Sequence, residues 1–192
     1  GIRAGDKVIN KAVPGLIPTF NVALAQSFEG KCDWNDGWFA SRKLDGVRCI
    51  GIVNHQSVCK FYTRAGKEIF TLDKVGKEIR NTGIKNVVFD GEICLVDENG
   101  NEDFQGIMKQ LRRKEHQIEN PAYMIFDMLT VEEFDNGKGN IPLAARLTNL
   151  TEFLNQSNSS ILKYAEQAII KNDSDLASWN KTSTDNGWEG VM

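Results

Sequence analysis

Apolar and polar positions alternate with a period near two along five stretches of the chain, the pattern of half-buried strands. It predicts strands over Trp38–Ser41, Val47–Val53, Val58–Thr63, Val87–Val96 and Ala122–Leu129. Helical spacing fills the intervals. Leu72, Val75 and Ile79 make a short stripe, and Phe104, Ile107, Met108 and Leu111 follow i, i+3, i+4, i+7. Pro142 suits the first turn of a helix carrying Leu143, Leu147, Leu150 and Leu154. Residues 161–170 read as a strand. Ser174 is placed to cap a last helix through Leu176 and Trp179 that stops before Gly187. The closing Glu189-Gly190-Val191-Met192 looks like the start of another strand. Strands joined by short turns, with helices inserted later, predict an α+β fold of largely antiparallel sheets flanked by helices.

The polar residues that interrupt these strands carry the chemical question. "WFASRKLDGVRCIGIV" (residues 38–53) sets Lys43, Asp45, Gly46 and Arg48 inside the most strand-like segment of the chain. A tight turn between two strands needs Asp-Gly and no extra cations. A free lysine is an unprotonated amine in only about one molecule in 2,500 at pH 7. A nucleophilic role therefore needs desolvation or nearby positive charge, and Arg42 and Arg48 are close in sequence. Asp45 can hold a cation or orient the amine, and Gly46 lets backbone approach a phosphate closely. The plain alternative is an exposed Lys-Asp pair beside a hairpin turn.

Four further interruptions follow. "VVFDGEICLV" (residues 87–96) places Asp90 and Glu92 two apart, hence on one face of a strand. Two carboxylates there can bind Mg²⁺, accept from a ribose hydroxyl, pair with Lys43 and Arg48, or simply meet water at a sheet edge. Arg64 in "YTRAGKEI" (residues 62–69) suits a phosphate, or is an ordinary exposed arginine. Phe126 in "YMIFDML" (residues 123–129) is either core or an aromatic wall for a purine. Glu189 brings another carboxylate into an apolar strand.

Bulk properties narrow the setting. The chain has 192 residues, 41% of them hydrophobic and 26% charged, which is globular composition and long enough for one large domain. At a net charge of −3 it is no general polyanion binder, so nucleic-acid contact must come from a local basic patch. Cys32, Cys49, Cys59 and Cys94 form no CxxC pair, and with His55 and His116 they make no zinc-finger spacing. Cys49, Cys59 and Cys94 lie in apolar runs and read as reduced core residues, which points to a reducing compartment. No apolar run approaches the ~20 residues needed to span a bilayer. The expectation is a cytoplasmic monomer without a membrane partner. "NKAVPGLIPTF" (residues 10–20) reads as an extended, turn-rich connector.

In this order, the five interruptions resemble the nucleotidyltransferase (adenylation) domain of ATP-dependent DNA ligases, most closely those of T-even-like bacteriophages. "KLDGVR" matches the KxDGxR nucleophile motif, and "TRAG", "FDGEI", "FDML" and "EGVM" match successive later motifs. The resemblance implies that Lys43 attacks the α-phosphate of ATP and holds AMP covalently. The nucleotide then passes to a 5′-phosphate at a nick in double-stranded DNA, which a 3′-hydroxyl seals. It further implies that Asp45 supports the lysine and that Arg48 and Arg64 grip phosphates of nucleotide or DNA. Glu92 takes the ribose and, with Glu189, a Mg²⁺ ion, while Phe126 stacks on adenine. Asp90 stays open between a site role and a structural one. Ser41 stands where many relatives carry Glu or Gln, so the residue that selects adenine is unassigned. The same resemblance implies that residues 1–28 are the remnant of an N-terminal DNA-binding domain and its connector. Residues 29–192 then make the adenylation domain, without the family's last motif (KxK) or the OB-fold domain, so that self-adenylation is weak. A capping guanylyltransferase shares the lysine motif but uses GTP. An RNA ligase usually lacks the arginine that ends KLDGVR. A non-catalytic nucleic-acid clamp would have lost the lysine or the carboxylates, and all are present.

Overall fold

Among the described residues nine strands form two sheets of unequal size. The computed structural model describes residues 10–13, 20, 22–25, 28–97, 101–113 and 115–192. The larger sheet holds six strands in the order β4-β3-β2-β5-β6-β7. These are β2 (Val47–Val53), β3 (Cys59–Thr63), β4 (Glu68–Ile69), β5 (Val87–Leu95), β6 (Pro121–Thr130) and β7 (Leu162–Tyr164). Every neighbouring pair is antiparallel except β6 and β7, which run parallel. The smaller sheet sets β1 (Trp38–Lys43) between β8 (Gln167–Ile170) and β9 (Gly190–Val191), antiparallel to both. The predicted α+β architecture with largely antiparallel sheets is the one found.

One face of the large sheet is the core. Cys49, Phe61, Phe89, Ile93, Tyr123 and Ile125 project from it and are almost fully buried. Three helices cover that face: α1 (Asp73–Asn81), α2 (Phe104–Leu111) and α4 (Leu143–Ser157). Val75 and Ile79, Ile107, and Leu147 and Leu150 are the residues they bury, the stripes that helical periodicity singles out. Tyr123 is fully buried, and its hydroxyl is shared at 2.9 Å between the carbonyls of Cys49 and Phe89, so no polar atom is stranded there. Cys49 and Cys94 are buried and Cys59 is half-buried; the four cysteines form no disulfide. Among the described residues no helix is long and apolar enough to cross a membrane.

Several expectations need correction. The segment 161–170 is not one strand. It forms β7 in the large sheet, crosses at Ala165 and Glu166, and re-enters as β8 in the small one. Period-two alternation cannot show such a transfer, because both halves keep the same alternation. The last helix, α5 (Asp173–Asp185), is capped by Asn172 rather than Ser174; the Asn172 side chain accepts from the Asp175 amide at 2.9 Å. Strand β4 and the short α3 (Val131–Asp135) were not anticipated. The first is two residues long, below any periodic signal. The second rests on a Thr130/Glu133 capping box. Residues 10–12 of the expected extended connector are helical, with Pro14 two positions beyond, and residues 14–19 lie outside the described residues.

Candidate active site

The KLDGVR segment is the seam between the two sheets. Strand β1 ends at Lys43 in the small sheet and β2 begins at Val47 in the large one, and the two strands do not pair with each other. The Asp45-Gly46 step is therefore a crossover, not the hairpin turn that its composition suggests. Its backbone amides are taken by two carboxylates: Asp45 N–H donates to Glu102 Oε2 at 2.8 Å, and Gly46 N–H donates to Glu92 Oε1 at 3.0 Å. A side chain at Gly46 would place Cβ 2.6 Å from the Ile93 carbonyl and 2.7 Å from Cys94 Sγ. Glycine is required there by the packing of the crossover on β5.

Lys43 and Glu189 form an ion pair on the small sheet, both side chains a little under half exposed. The register sets Lys43 opposite Gly190, the residue after Glu189. The expectation that Arg42 and Arg48 flank the amine is not met. Alternation along β1 turns Arg42 to the opposite face from Lys43. There it pairs with Glu102 at 3.0 Å and lies over the Trp188 ring at 5.2 Å. Arg48 belongs to the other sheet and grips Asp90 with two hydrogen bonds of 2.6 Å, from Nε and Nη2. This settles Asp90: it is a buried partner for Arg48. Burial pushes its carboxyl above the usual range, and the guanidinium opposes that rise. Asp45 has no side-chain partner among the described residues.

The face of the large sheet opposite the core carries the rest of the cluster. Arg48 and Glu92 are directly opposed across β2 and β5, and Asp90 lies on the same face two residues away, as alternation predicts. Phe126 reaches this face through a β-bulge. The ladder pairs Gly91 with Ile125 but Asp90 with Asp127, leaving Phe126 as the extra residue. Before the bulge odd-numbered residues of β6 face the core; after it Met128 does, opposite Phe89. Phe126 is half-buried, with the Arg48 guanidinium 4.6 Å from its ring centre. The amide of Gln167 donates to its carbonyl at 2.8 Å, tying the bulge to β8 of the small sheet. Glu92 is mostly buried, and desolvation raises its carboxyl to about 6 against the hydrogen bond from Gly46 and the charge of Arg48.

Arg64 stands apart. It occupies the exposed hairpin turn between β3 and β4, where Gly66 takes a positive φ of 80°, and among the described residues it makes no ion pair with the cluster. A polar cleft of about 440 Å³ is bordered by Arg42, Asp45, Glu102, Trp188 and Glu189. The Nε of Arg42 is buried there without a hydrogen-bond partner among the described residues, a donor suited to an anionic ligand. Glu102 and Trp188 were missed by sequence reasoning, which took Arg42 only as a charge near Lys43. Glu102 follows residues 98–100, outside the described set; the bridge from Val96 to Glu102, with Asp97 N–H donating to the Asn101 carbonyl at 2.9 Å and Asp103 N–H to the Leu95 carbonyl at 3.0 Å, brings it to the crossover. Among the described residues no group of three His, Cys, Asp or Glu side chains stands ready to hold a metal ion.

Comparison with known proteins agrees with this geometry. Residues 22–192 match the family model described as the ATP dependent DNA ligase domain. No curated protein matches the chain. A solved structure named Pmar-Lig_Pre. shares 25% identity at a TM-score of 0.72, over 80% of this chain and 37% of its own. The ATP-dependent DNA ligase of bacteriophage T7, solved in complex with ATP, is 15% identical at a TM-score of 0.65, over 83% and 57%. A Lig E DNA ligase gives 17% and 0.64, over 92% and 61%. The chain thus spans between 37% and 61% of the length of these proteins. The two less similar structures speak for the fold alone: two antiparallel-rich sheets with helices on one face. A match over nearly the whole described chain decides the family: the chain belongs to the ATP-dependent DNA ligase domain family.

Proposed function

We propose that this chain carries the adenylation site of a DNA ligase that seals 5′-phosphate/3′-hydroxyl nicks in duplex DNA. In this reading the neutral Nζ of Lys43 attacks the α-phosphorus of ATP. A P–N bond forms, the bond from that phosphorus to the bridging oxygen breaks, and pyrophosphate leaves. The AMP then passes to the 5′-phosphate of the nick. The observation that carries the reading is the placement of the motif residues at one inter-sheet seam: Lys43 and Glu189 on the small sheet, Arg48, Glu92 and Phe126 on the outer face of the large one.

Each side chain then has a physical task. Phe126, already stacked beneath a guanidinium, offers its other face to the adenine ring. Glu92 accepts from the ribose hydroxyls, its remaining carboxylate oxygen being the acceptor, since Oε1 is held by Gly46. Glu189 holds the lysine ammonium until nucleotide arrives. Arg48 and Arg64 meet phosphates, Arg48 exchanging part of its hold on Asp90.

A Mg²⁺ ion fits the chemistry of this donor set. Mg²⁺ is commonly bound by one or two carboxylates with substrate phosphates and water completing the shell, so Glu92 and Glu189 suffice without a third protein ligand. When bound it would supply charge neutralisation at the phosphoryl group.

The test is mass spectrometry after incubation with ATP and Mg²⁺. The expected result is an AMP-sized increment mapped to Lys43, absent from Lys43→Ala, whose stability stays within about 1 kcal/mol of wild type because the lost ion pair is half exposed. An increment that persists in Lys43→Ala, or a chain that takes none at saturating ATP, rejects the proposal.

A further inference from the structure

Lys67, Arg112 and Arg113 are exposed cations on two separate loops, and none makes an ion pair among the described residues. All three border one cleft of about 570 Å³. One wall is the segment after β3 that contains β4 and runs to Thr71; the other is the loop that follows α2. The walls are pinned together. Ile118 N–H donates to the Thr71 carbonyl at 3.0 Å, Gln117 Nε2 donates to the Phe70 carbonyl at 2.8 Å, and Gln117 Oε1 accepts from Asp73 N–H at 2.9 Å. The cleft is therefore built, and not a gap between loose loops.

Its inner surface includes Thr71, only 4% exposed, whose hydroxyl has no hydrogen-bond partner among the described residues. A buried hydroxyl without a partner is uncommon in a folded protein, and its partner here is missing at the edge of a cationic cleft. The neighbouring carboxylates do not neutralise it. Glu68 is drawn toward Lys60 at 3.4 Å, and Glu115 is exposed at the same cleft and outnumbered by its three cations. His116 has its Nε2 against Gln110 Oε1 at 3.2 Å. At the mouth Phe70 is 72% exposed, an aromatic face of the kind that packs on a sugar or an unstacked base.

We propose that this cleft binds a backbone phosphate of a polynucleotide, with Lys67, Arg112 and Arg113 supplying charge and the Thr71 hydroxyl supplying a directed donor. The inference rests on the ligase reading for its partner and extends the DNA track beyond the seam. The Arg64 turn and Lys67 are three residues apart, so one strand can run from that turn into the cleft. In a chain of net charge −3, such a local patch decides where a polyanion lies.

The experiment is fluorescence anisotropy of a 5′-phosphorylated nicked duplex titrated with the protein over a range of KCl concentrations. The K67Q/R112Q/R113Q triple variant is compared with wild type at equal thermal midpoint. The plot of log K against log salt should flatten by about 0.9 for each phosphate that the variant no longer neutralises, with weaker binding at low salt. Slopes and affinities equal within about twofold overturn the proposal, as does a wild-type chain with no salt-sensitive binding of the duplex. Calorimetric titration with inorganic phosphate separates the sources of the anion. Binding of phosphate that the triple variant loses, beside an unchanged duplex affinity, assigns the cleft to a free anion and overturns the polynucleotide assignment. ATP labelling of wild-type Lys43 is read separately. Its failure beside a flattened salt slope removes the reading of the lysine and leaves this one standing.

Discussion

Glu92 sits where charge and burial conflict most. Its carboxyl rises from an ordinary 4.5 to about 6 because burial outweighs the Gly46 amide and Arg48. Between those values the folded chain holds a proton that the unfolded chain has released, so stability falls as pH rises through the window and is level above it. The ionised form is the one that accepts from a ribose or a metal, so nucleotide affinity moves the opposite way. We expect ATP binding to strengthen between pH 5 and 7 with a midpoint near 6, measured by titration at constant ionic strength. In Glu92→Gln the Glu92 share of both pH dependences should be lost, read as the difference between wild type and variant across that window. A wild-type affinity flat from pH 5 to 7 would remove Glu92 from the nucleotide site. That Asp90 and Glu92 share a face was legible from their spacing. Which of them serves Arg48 was not, because the choice depends on a cross-strand register that no local pattern encodes. Glu102 was invisible for a similar reason: in the sequence it is one more acidic residue in a polar loop.

Between residue and fold, single elements decide which side chains meet. Four strands of the large sheet, β2, β3, β5 and β6, were legible because each keeps one face in the core and one out of it, and alternation records that. What alternation hides is a change of sheet, as at Leu44–Gly46 and at Ala165–Glu166, and a change of phase, as at Phe126. The phase change yields a sharp expectation. Deleting Phe126 leaves Ile125 facing the core, Asp127 opposite Asp90 and Met128 opposite Phe89, so the ladder closes without the bulge. Such a deletion should fold cooperatively with a loss on the order of 1–2 kcal/mol in urea, while ATP affinity falls at least as far as in Phe126→Ala. A deletion variant that fails to fold would mean that the bulge serves the sheet itself, and its link to the site would weaken. The aromatic was recognisable in sequence as a candidate purine wall; the extra residue that delivers it to that face was not.

The whole molecule places Lys43 on one sheet and most of the other residues of the proposed site on the other. Lys43 and Glu189 belong to the small sheet, Arg48, Glu92 and Phe126 to the large one. The described ties across the seam near the site are the crossover amides held by Glu92 and Glu102, the Arg42–Glu102 pair, Gln167 on the Phe126 carbonyl, and a small apolar cluster of Leu44, Cys94 and Ala165 with Val96, Met124 and Phe126 against it. A nucleotide bridging the seam adds contacts to both sheets at once, and a ligand that binds only the folded state suppresses the local openings that expose backbone amides. ATP with Mg²⁺ should therefore slow hydrogen exchange in two separated segments together, residues 188–192 around β9 and residues 122–127 of β6. Phe126→Ala should lose both protections in parallel, since the aromatic anchor on one sheet is what holds the phosphates against the other. Protection confined to a single sheet would show that ATP does not span the seam, and the amine of Lys43 would then have no phosphorus within reach.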